Sequence, residues 1–313
     1  MQVLLASPRG FCAGVDRAIE IVERALELYG APVYVLHEIV HNRHVLDRLS
    51  GLGVRFVDTL DEIPTGAVTI FSAHGVAAEV ERQGAARQLR VIDATCPLVT
   101  KVHKQAQRAE RTGHQVVLVG HAGHVEVEGT RGRVASDVPV VGTVADVAAL
   151  EVADPDRLSY VTQTTLSVDD TRDVIAALKA RFPKIEGPAL EDICYATQNR
   201  QNAVKEMAGE IDLLLVVGSQ NSSNSNRLRE LGERSGVASY LIDFARDLDP
   251  DWFRPGLRIG LTAGASAPEE LVEAVVARLR ELGVDDVRTL DGEPEEVVFH
   301  LPKELRPGVV ERA

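Results

Sequence analysis

Apolar residues along this chain fall into short runs that end in loops of small or polar residues, and each loop gives way to a helical period. "VTIFSAHGV" (68–76) is one such run, followed by "AAEVERQGAARQ". "VVLVGHAGHVEVEG" (116–129) repeats it, as does "IDLLLVVGSQNSSNSN" (211–226), followed by the helix-like "RLRELGERSG". Short apolar runs bounded by turn residues and alternating with helical periods predict an α/β fold with parallel sheets. A second unit, strand then turn then helix, recurs at 90–110, 159–182 and 258–283. Its turns carry helix-start signals: Thr95 before Pro97, Ser167 with Asp169 and Asp170, and Ser266 before Pro268, Glu269 and Glu270. The N-terminus predicts a strand over 2–6 that breaks at Pro8 and Gly10.

Three cysteines punctuate this pattern. Cys12, Cys96 and Cys194 are widely spaced, and each precedes an amphipathic helical stretch. The spacing predicts three related α/β lobes, 1–96 (with the N-terminal strand), 97–193 and 194–283, and a tail, 284–313, that packs back on the body. Functional loops of open parallel sheets gather at the carboxyl ends of the strands, so three lobes facing one axis bring the three thiols together.

Composition narrows the class. The 313 residues carry 45% hydrophobic and 26% charged residues, an ordinary balance for a globular protein. The net charge of −13 does not attract nucleic acid or an anionic membrane, so a phosphate-bearing ligand needs a local positive field. No apolar run approaches the ~20 residues of a membrane span, and the N-terminus lacks the features of a signal peptide, which makes the cytoplasm the expected address. An odd cysteine count without C-x-x-C argues against a disulfide framework and a local zinc knuckle.

The chemistry offers several readings. His37, Glu38 and His41 spell H-E-x-x-H, which on a helix binds zinc with the glutamate as base. The preceding Val33, Tyr34 and Val35 favour a strand instead, which removes the shared helical face and leaves His41 in the loop beyond it. Three thiols at helix N-termini suit an iron–sulfur cluster with one iron open to substrate, with zinc on three cysteines as the competing metal and three buried thiols as the plain alternative. "GSQNSSNSN" (218–226) follows an apolar strand and precedes a helix, so its hydroxyls, amides and N–H groups make an anion cradle rather than a linker. It lacks G-x-x-x-x-G-K-S/T, so a nucleotide is not the natural ligand. With His41, His74 and His124 at strand-end loops, it predicts a pocket for a small phosphate ester. Glu126, two residues beyond His124, is a carboxyl able to donate a proton once burial raises its pKa.

The motifs "PRGFCAGVDRAI", "HEIVHN", "FSAHGV", "DATCPLVTKVH", "GHAGHVEVEGT", "TQTTLSVDDT", "DICYATQNRQ", "GSQNSSNSNRL" and "TAGASAP" together resemble the bacterial 4-hydroxy-3-methylbut-2-enyl diphosphate reductases, over essentially the whole chain. That family performs the last step of the methylerythritol phosphate route to isoprenoids. The resemblance implies a trefoil of three α/β lobes in pseudo-threefold arrangement around a 4Fe-4S cluster. Cys12, Cys96 and Cys194 would be its ligands, with the fourth iron open to the substrate hydroxyl. It implies that His41, His74, His124, Ser222, Ser223, Asn224 and Ser266 hold the diphosphate. It also implies that Glu126 delivers protons and that Thr164 sits near the hydroxyl and relays them. Two electrons and two protons then yield isopentenyl and dimethylallyl diphosphate. The electrons come from ferredoxin or flavodoxin, to a monomer or homodimer. One departure is Val125, where the family pattern leads us to expect proline. Two rival readings stand beside this one: a zinc hydrolase built on His37 and His41, and a non-catalytic phosphate-ester binding protein.

Overall fold

The computed structural model describes residues 1–188, 192–292 and 294–306. They form three parallel sheets, each α/β. The first is built from β2 (Val33–Leu36), β3 (Val54–Val57), β4 (Val68–Phe71) and β5 (Arg90–Asp93), in the order β3-β2-β4-β5. The second holds β6 (Gln115–Val119), β7 (Val140–Val141) and β8 (Leu158–Thr162), in the order β7-β6-β8. The third holds β9 (Leu213–Val217), β10 (Ala238–Ile242), β11 (Arg258–Ala263), β1 (Gln2–Leu5) and β12 (Asp286–Thr289), in the order β10-β9-β11-β1-β12. All pairings are parallel.

Each sheet follows one plan. Each contains three consecutive strands of which the first (β2, β6 or β9) lies between the other two: β3 and β4, β7 and β8, or β10 and β11. A fourth strand position comes next: β5 in the first sheet and β1 in the third. In the second, Glu186 takes that place through a single parallel bridge to Ser159. Each fourth position leads to a cysteine: β5 to Cys96, Glu186 to Cys194 and β1 to Cys12.

This corrects the grouping of the N-terminal strand with residues 1–96. β1 completes the third sheet, pairing with β11 from Gln2↔Arg258 and with β12 from Gln2↔Asp286. Local pattern fixes that a strand exists, but pairing is a long-range choice made by packing. The tail supplies β12, while residues 307–313 lie outside the described residues.

The chain divides into two compact units. One comprises Met1–Val15, His41–Arg48 and Tyr195–Val298 and carries the third sheet; the other comprises Asp16–Val40, Leu49–Cys194 and the segment from Phe299, and carries the first two. The cores explain the unbroken apolar strands. In β9, Leu213, Leu215 and Val217 pack with α10 (Glu269–Glu281), through residues such as Val272 and Val275. Leu214 and Val216 face the other way, onto α8 (Tyr195–Met207) and α9 (Ser223–Arg234). β6 divides in the same way between two clusters. A parallel strand covered on both faces loses the polar alternation of a half-exposed one.

Helix starts follow the predicted turns with local shifts. Ser167 caps α7 (Val168–Arg181), accepting from Asp170 N. Cys96 rather than Thr95 is the N-cap of α4 (Pro97–Arg111), because the Thr95 hydroxyl donates to Asp93 at 2.5 Å. Pro268 rather than Ser266 precedes α10, and the Ser266 hydroxyl donates to the His41 carbonyl at 2.9 Å. H-E-x-x-H is not helical: β2 ends at Leu36, His37 has φ +61° and α2 (Arg43–Gly51) starts beyond His41. The two histidines therefore share no helical face, and the zinc-hydrolase reading loses its geometry. Among the described residues no helix is long and apolar enough to cross a membrane.

Candidate active site

The three cysteines occupy equivalent places. Cys12 immediately precedes α1 (Ala13–Tyr29), Cys96 precedes α4 and Cys194 precedes α8. Each donates its backbone N–H to a carbonyl just beyond a neighbouring third strand: Cys12 to Ala265 at 3.3 Å, Cys96 to Ala73 and Cys194 to Thr164 at 3.0 Å. None of the three is in a disulfide, and each is neither fully buried nor fully exposed. Burial pushes the Cys12 thiol up, while the N–H groups of Val15 and Gly14 and the Arg200 guanidinium pull it back. Among the described residues no three His, Cys, Asp or Glu side chains converge as the ligands of one ion do. Thiolates of an iron–sulfur cluster each bind a different iron and do not converge on one ion.

The loop before Cys12 is gripped by a residue that sequence reading missed. Arg200 of α8 is fully buried. Its Nε and Nη2 donate to the Gly10 carbonyl at 3.0 and 2.6 Å, and Nη2 also to that of Phe11 at 3.1 Å. Nη1 donates to Glu295 Oε1 at 2.9 Å. Gly10 itself has φ +69°, a conformation that favours glycine.

In the same unit, the loop after β9 enters α9 through the Ser/Asn run. Ser222 is the N-cap, with its hydroxyl accepting from the Ser225 backbone N–H at 3.4 Å and lying 3.0 Å from the Ser225 hydroxyl. A Cβ at Gly264, just past β11, would collide with Ser225 Oγ, so glycine there lets the two strand ends close on the helix start. Asn224 is buried at 4% exposure, and neither its Nδ2 nor its Oδ1 has a partner. A buried carboxamide in that state costs free energy until something enters to bond it. His41 lies beside this run: its Nδ1 is 3.4 Å from Asn221 Nδ2, and its carbonyl accepts from Ser266. This unit thus brings together Cys12, His41, Ser222, Ser223, Asn224 and Ser266.

The other unit holds Cys96, Cys194, His74, His124, Glu126 and Thr164. His74 follows β4, His124 follows β6 and Thr164 follows β8, all at carboxyl ends of strands. The rings of His74 and His124 meet edge to face with centroids 6.1 Å apart. His124 is the N-cap of α5 (Val125–Arg131), its Nδ1 accepting from Glu126 N at 3.2 Å. Val125 takes the first helical position, where a proline also fits. The Glu126 carboxylate is buried at 3% exposure and accepts from Thr164 N at 2.7 Å and Thr164 Oγ1 at 2.8 Å. Burial raises its pKa to about 7, against the opposing pull of those two bonds. A carboxyl poised near neutrality is a competent general acid.

Comparisons with known proteins agree on one family. The LytB protein family matches residues 3–280. The 4-hydroxy-3-methylbut-2-enyl diphosphate reductase of Bordetella pertussis is 63% identical over 304 residues, covering 97% of this chain and 94% of that protein. The solved E-1-hydroxy-2-methyl-but-2-enyl-4-diphosphate reductase of Plasmodium falciparum shares the fold at a TM-score of 0.93 with 39% identity, over 97% of this chain and 96% of that one. A second solved structure, of an (E)-4-hydroxy-3-methyl-but-2-enyl diphosphate reductase described as the terminal enzyme of the non-mevalonate pathway, is 36% identical at a TM-score of 0.64 over 90% and 99% of the two chains. With a match spanning both units and every motif that carries the site, this chain belongs to the LytB family.

Proposed function

We propose that this chain reductively dehydroxylates (E)-4-hydroxy-3-methylbut-2-enyl diphosphate to isopentenyl and dimethylallyl diphosphate, as an oxidoreductase of the isoprenoid route. Identity of 63% across nearly the whole chain supports the substrate. The observation that carries the chemistry is the Glu126–Thr164 pair, a buried carboxyl raised to about 7 with a hydroxyl 2.8 Å away. Cys12, Cys96 and Cys194 would hold a 4Fe-4S cluster. When bound, that group supplies electrons and a Lewis-acidic iron for the substrate hydroxyl.

The chain's own residues bind, orient and protonate. Ser222, Ser223 and Asn224, at the start of α9, offer N–H, hydroxyl and carboxamide groups to a diphosphate. His41, His74 and His124 add neutral or cationic donors, and Ser266 holds the loop of His41. This supplies a local anion site in a chain of net charge −13. Glu126 in its protonated form gives a proton toward the leaving hydroxyl, and Thr164 passes it on while holding the carboxyl in place. The hydroxyl leaves as water, and a second proton goes to carbon. The donor would be a ferredoxin or flavodoxin, and the setting the cytoplasm.

Anaerobic purification with iron, sulfide and zinc quantification tests the reading, together with turnover driven by reduced methyl viologen. Iron and sulfide in stoichiometric amounts are expected, with both lost in Cys96→Ser. Zinc as the sole metal would overturn the cluster, and a metal-free chain that binds the diphosphate without turning it over would make this a binding protein.

A further inference from the structure

Lys101, Lys104 and Arg108 are spaced three and four residues apart on α4, so they share one face of the helix. With Arg17 they line an open groove of about 650 Å³. Asp93 is the acidic member of its lining, and Glu304 also acts electrostatically on Arg17. Lys104 and Arg108 are exposed, while Lys101 is tied to the buried Asp192 at 3.3 Å. A chain with 47 acidic and 34 basic side chains therefore gathers positive charge here against its overall balance.

The groove leads to a cysteine. Thr95 and Pro97, which flank Cys96, both line it. Arg17 Nη1 donates to the carbonyls of Ala94 at 3.2 Å and Thr95 at 3.1 Å, and its Nε to that of His300 at 2.9 Å. The guanidinium thus joins the groove wall to the backbone one residue from Cys96, and the two side chains act on each other electrostatically.

We propose that this groove is the docking surface of an acidic one-electron carrier protein, which passes electrons to the redox centre at Cys96. The proposal rests on the reductase reading above. A protein fits better than a small anion, because the charges are spread along two turns of helix and open to solvent rather than converging on one point. Two carriers are each oxidised by one electron per turnover. The substrate C–O bond breaks, its oxygen leaves as water with one proton, and the other proton completes a C–H bond. Complementary charge raises the encounter rate and makes it sensitive to salt.

The test compares two reductants on the loaded enzyme carrying Lys104→Glu and Arg108→Glu, residues outside the proposed chemistry. With reduced flavodoxin as probe, KM for the carrier should rise about tenfold or more, and the wild-type fall in rate with added salt should flatten. With reduced methyl viologen, a small cation that a basic groove does not attract, turnover and bound iron should be unchanged. The neutral pair Lys104→Gln and Arg108→Gln should fall between. An unchanged carrier KM and salt response would overturn the proposal, as would an equal loss with both reductants. Wild-type enzyme inactive with viologen would instead sink the reductase reading; calorimetric titration with oxidised flavodoxin then still decides docking, by binding that the charge reversal does or does not weaken.

Discussion

Glu126 shows how burial alone can set a role. Its two hydrogen bonds to Thr164 favour the carboxylate, yet desolvation outweighs them and holds the pKa at about 7. The folded pKa lies above that of an exposed glutamate, so the neutral form's contribution to stability is complete at acidic pH and is lost as pH rises through about 7. The proton available for catalysis disappears over the same window. kcat/KM should therefore fall above pH about 7, and in Glu126→Gln that limb should vanish with kcat/KM lowered 100-fold or more and iron content unchanged, given the usual worth of about 10²–10⁴ for a general acid. A pH-rate profile that keeps its limb in the variant would assign the titration elsewhere. Asn224 invites the opposite experiment. Its carboxamide atoms lack partners in the free protein, so Asn224→Leu should leave the melting temperature level or higher while raising substrate KM about tenfold. A clear drop in melting temperature would mean the amide is already satisfied. Both residues could be singled out in the sequence, because polar side chains at the end of an apolar strand have few structural uses. Their hydrogen-bonding state could not, since burial is a property of the packed chain.

Among elements, the loop before Cys12 depends most on distant help. Arg200 and Glu295 stand 95 residues apart, and no periodicity links them. Replacing the arginine leaves the carbonyls of Gly10 and Phe11 unbonded and a largely buried Glu295 uncompensated. Arg200→Met is expected to destabilise the fold by about 3–5 kcal/mol and to lower iron per chain, read by thermal denaturation and metal analysis on the same preparation. Full stability would show that water replaces the guanidinium. Strands and helices themselves were legible, since continuous apolar runs such as Leu213–Val217 and helical periods such as that of α4 carry their own signal. The caps were less so. Thr95 looked like a helix cap, but a nearby Asp93 gave its hydroxyl a better acceptor. His37 illustrates the converse: the valines and tyrosine before it favour a strand, and β2 indeed ends one residue ahead of its left-handed turn.

For the molecule as a whole, the threefold recurrence of strand and helix was visible, and three sheets of one plan are what formed. The phase of the repeat was not visible, because the third sheet draws its fourth strand from the opposite end of the chain. Charge distribution has a similar two-level character. Composition reports only the sum of −13, whereas the groove beside Cys96 is a local exception assembled by the folding of α1, β5 and α4. The placement of β1 also bears on how the protein is made. Gln2–Leu5 is translated long before its neighbours β11 and β12, which are not complete until residue 289 has been added. At about 5–20 residues per second, that strand waits on the order of tens of seconds. The sheets of β2–β5 and β6–β8 have all their strands by residue 162. Val3 and Leu5, which end in the core, are meanwhile an unpaired apolar edge on a nascent chain. A strand translated so long before its partners is thus among the last to be protected, and during synthesis it is open to capture by a chaperone or by another chain.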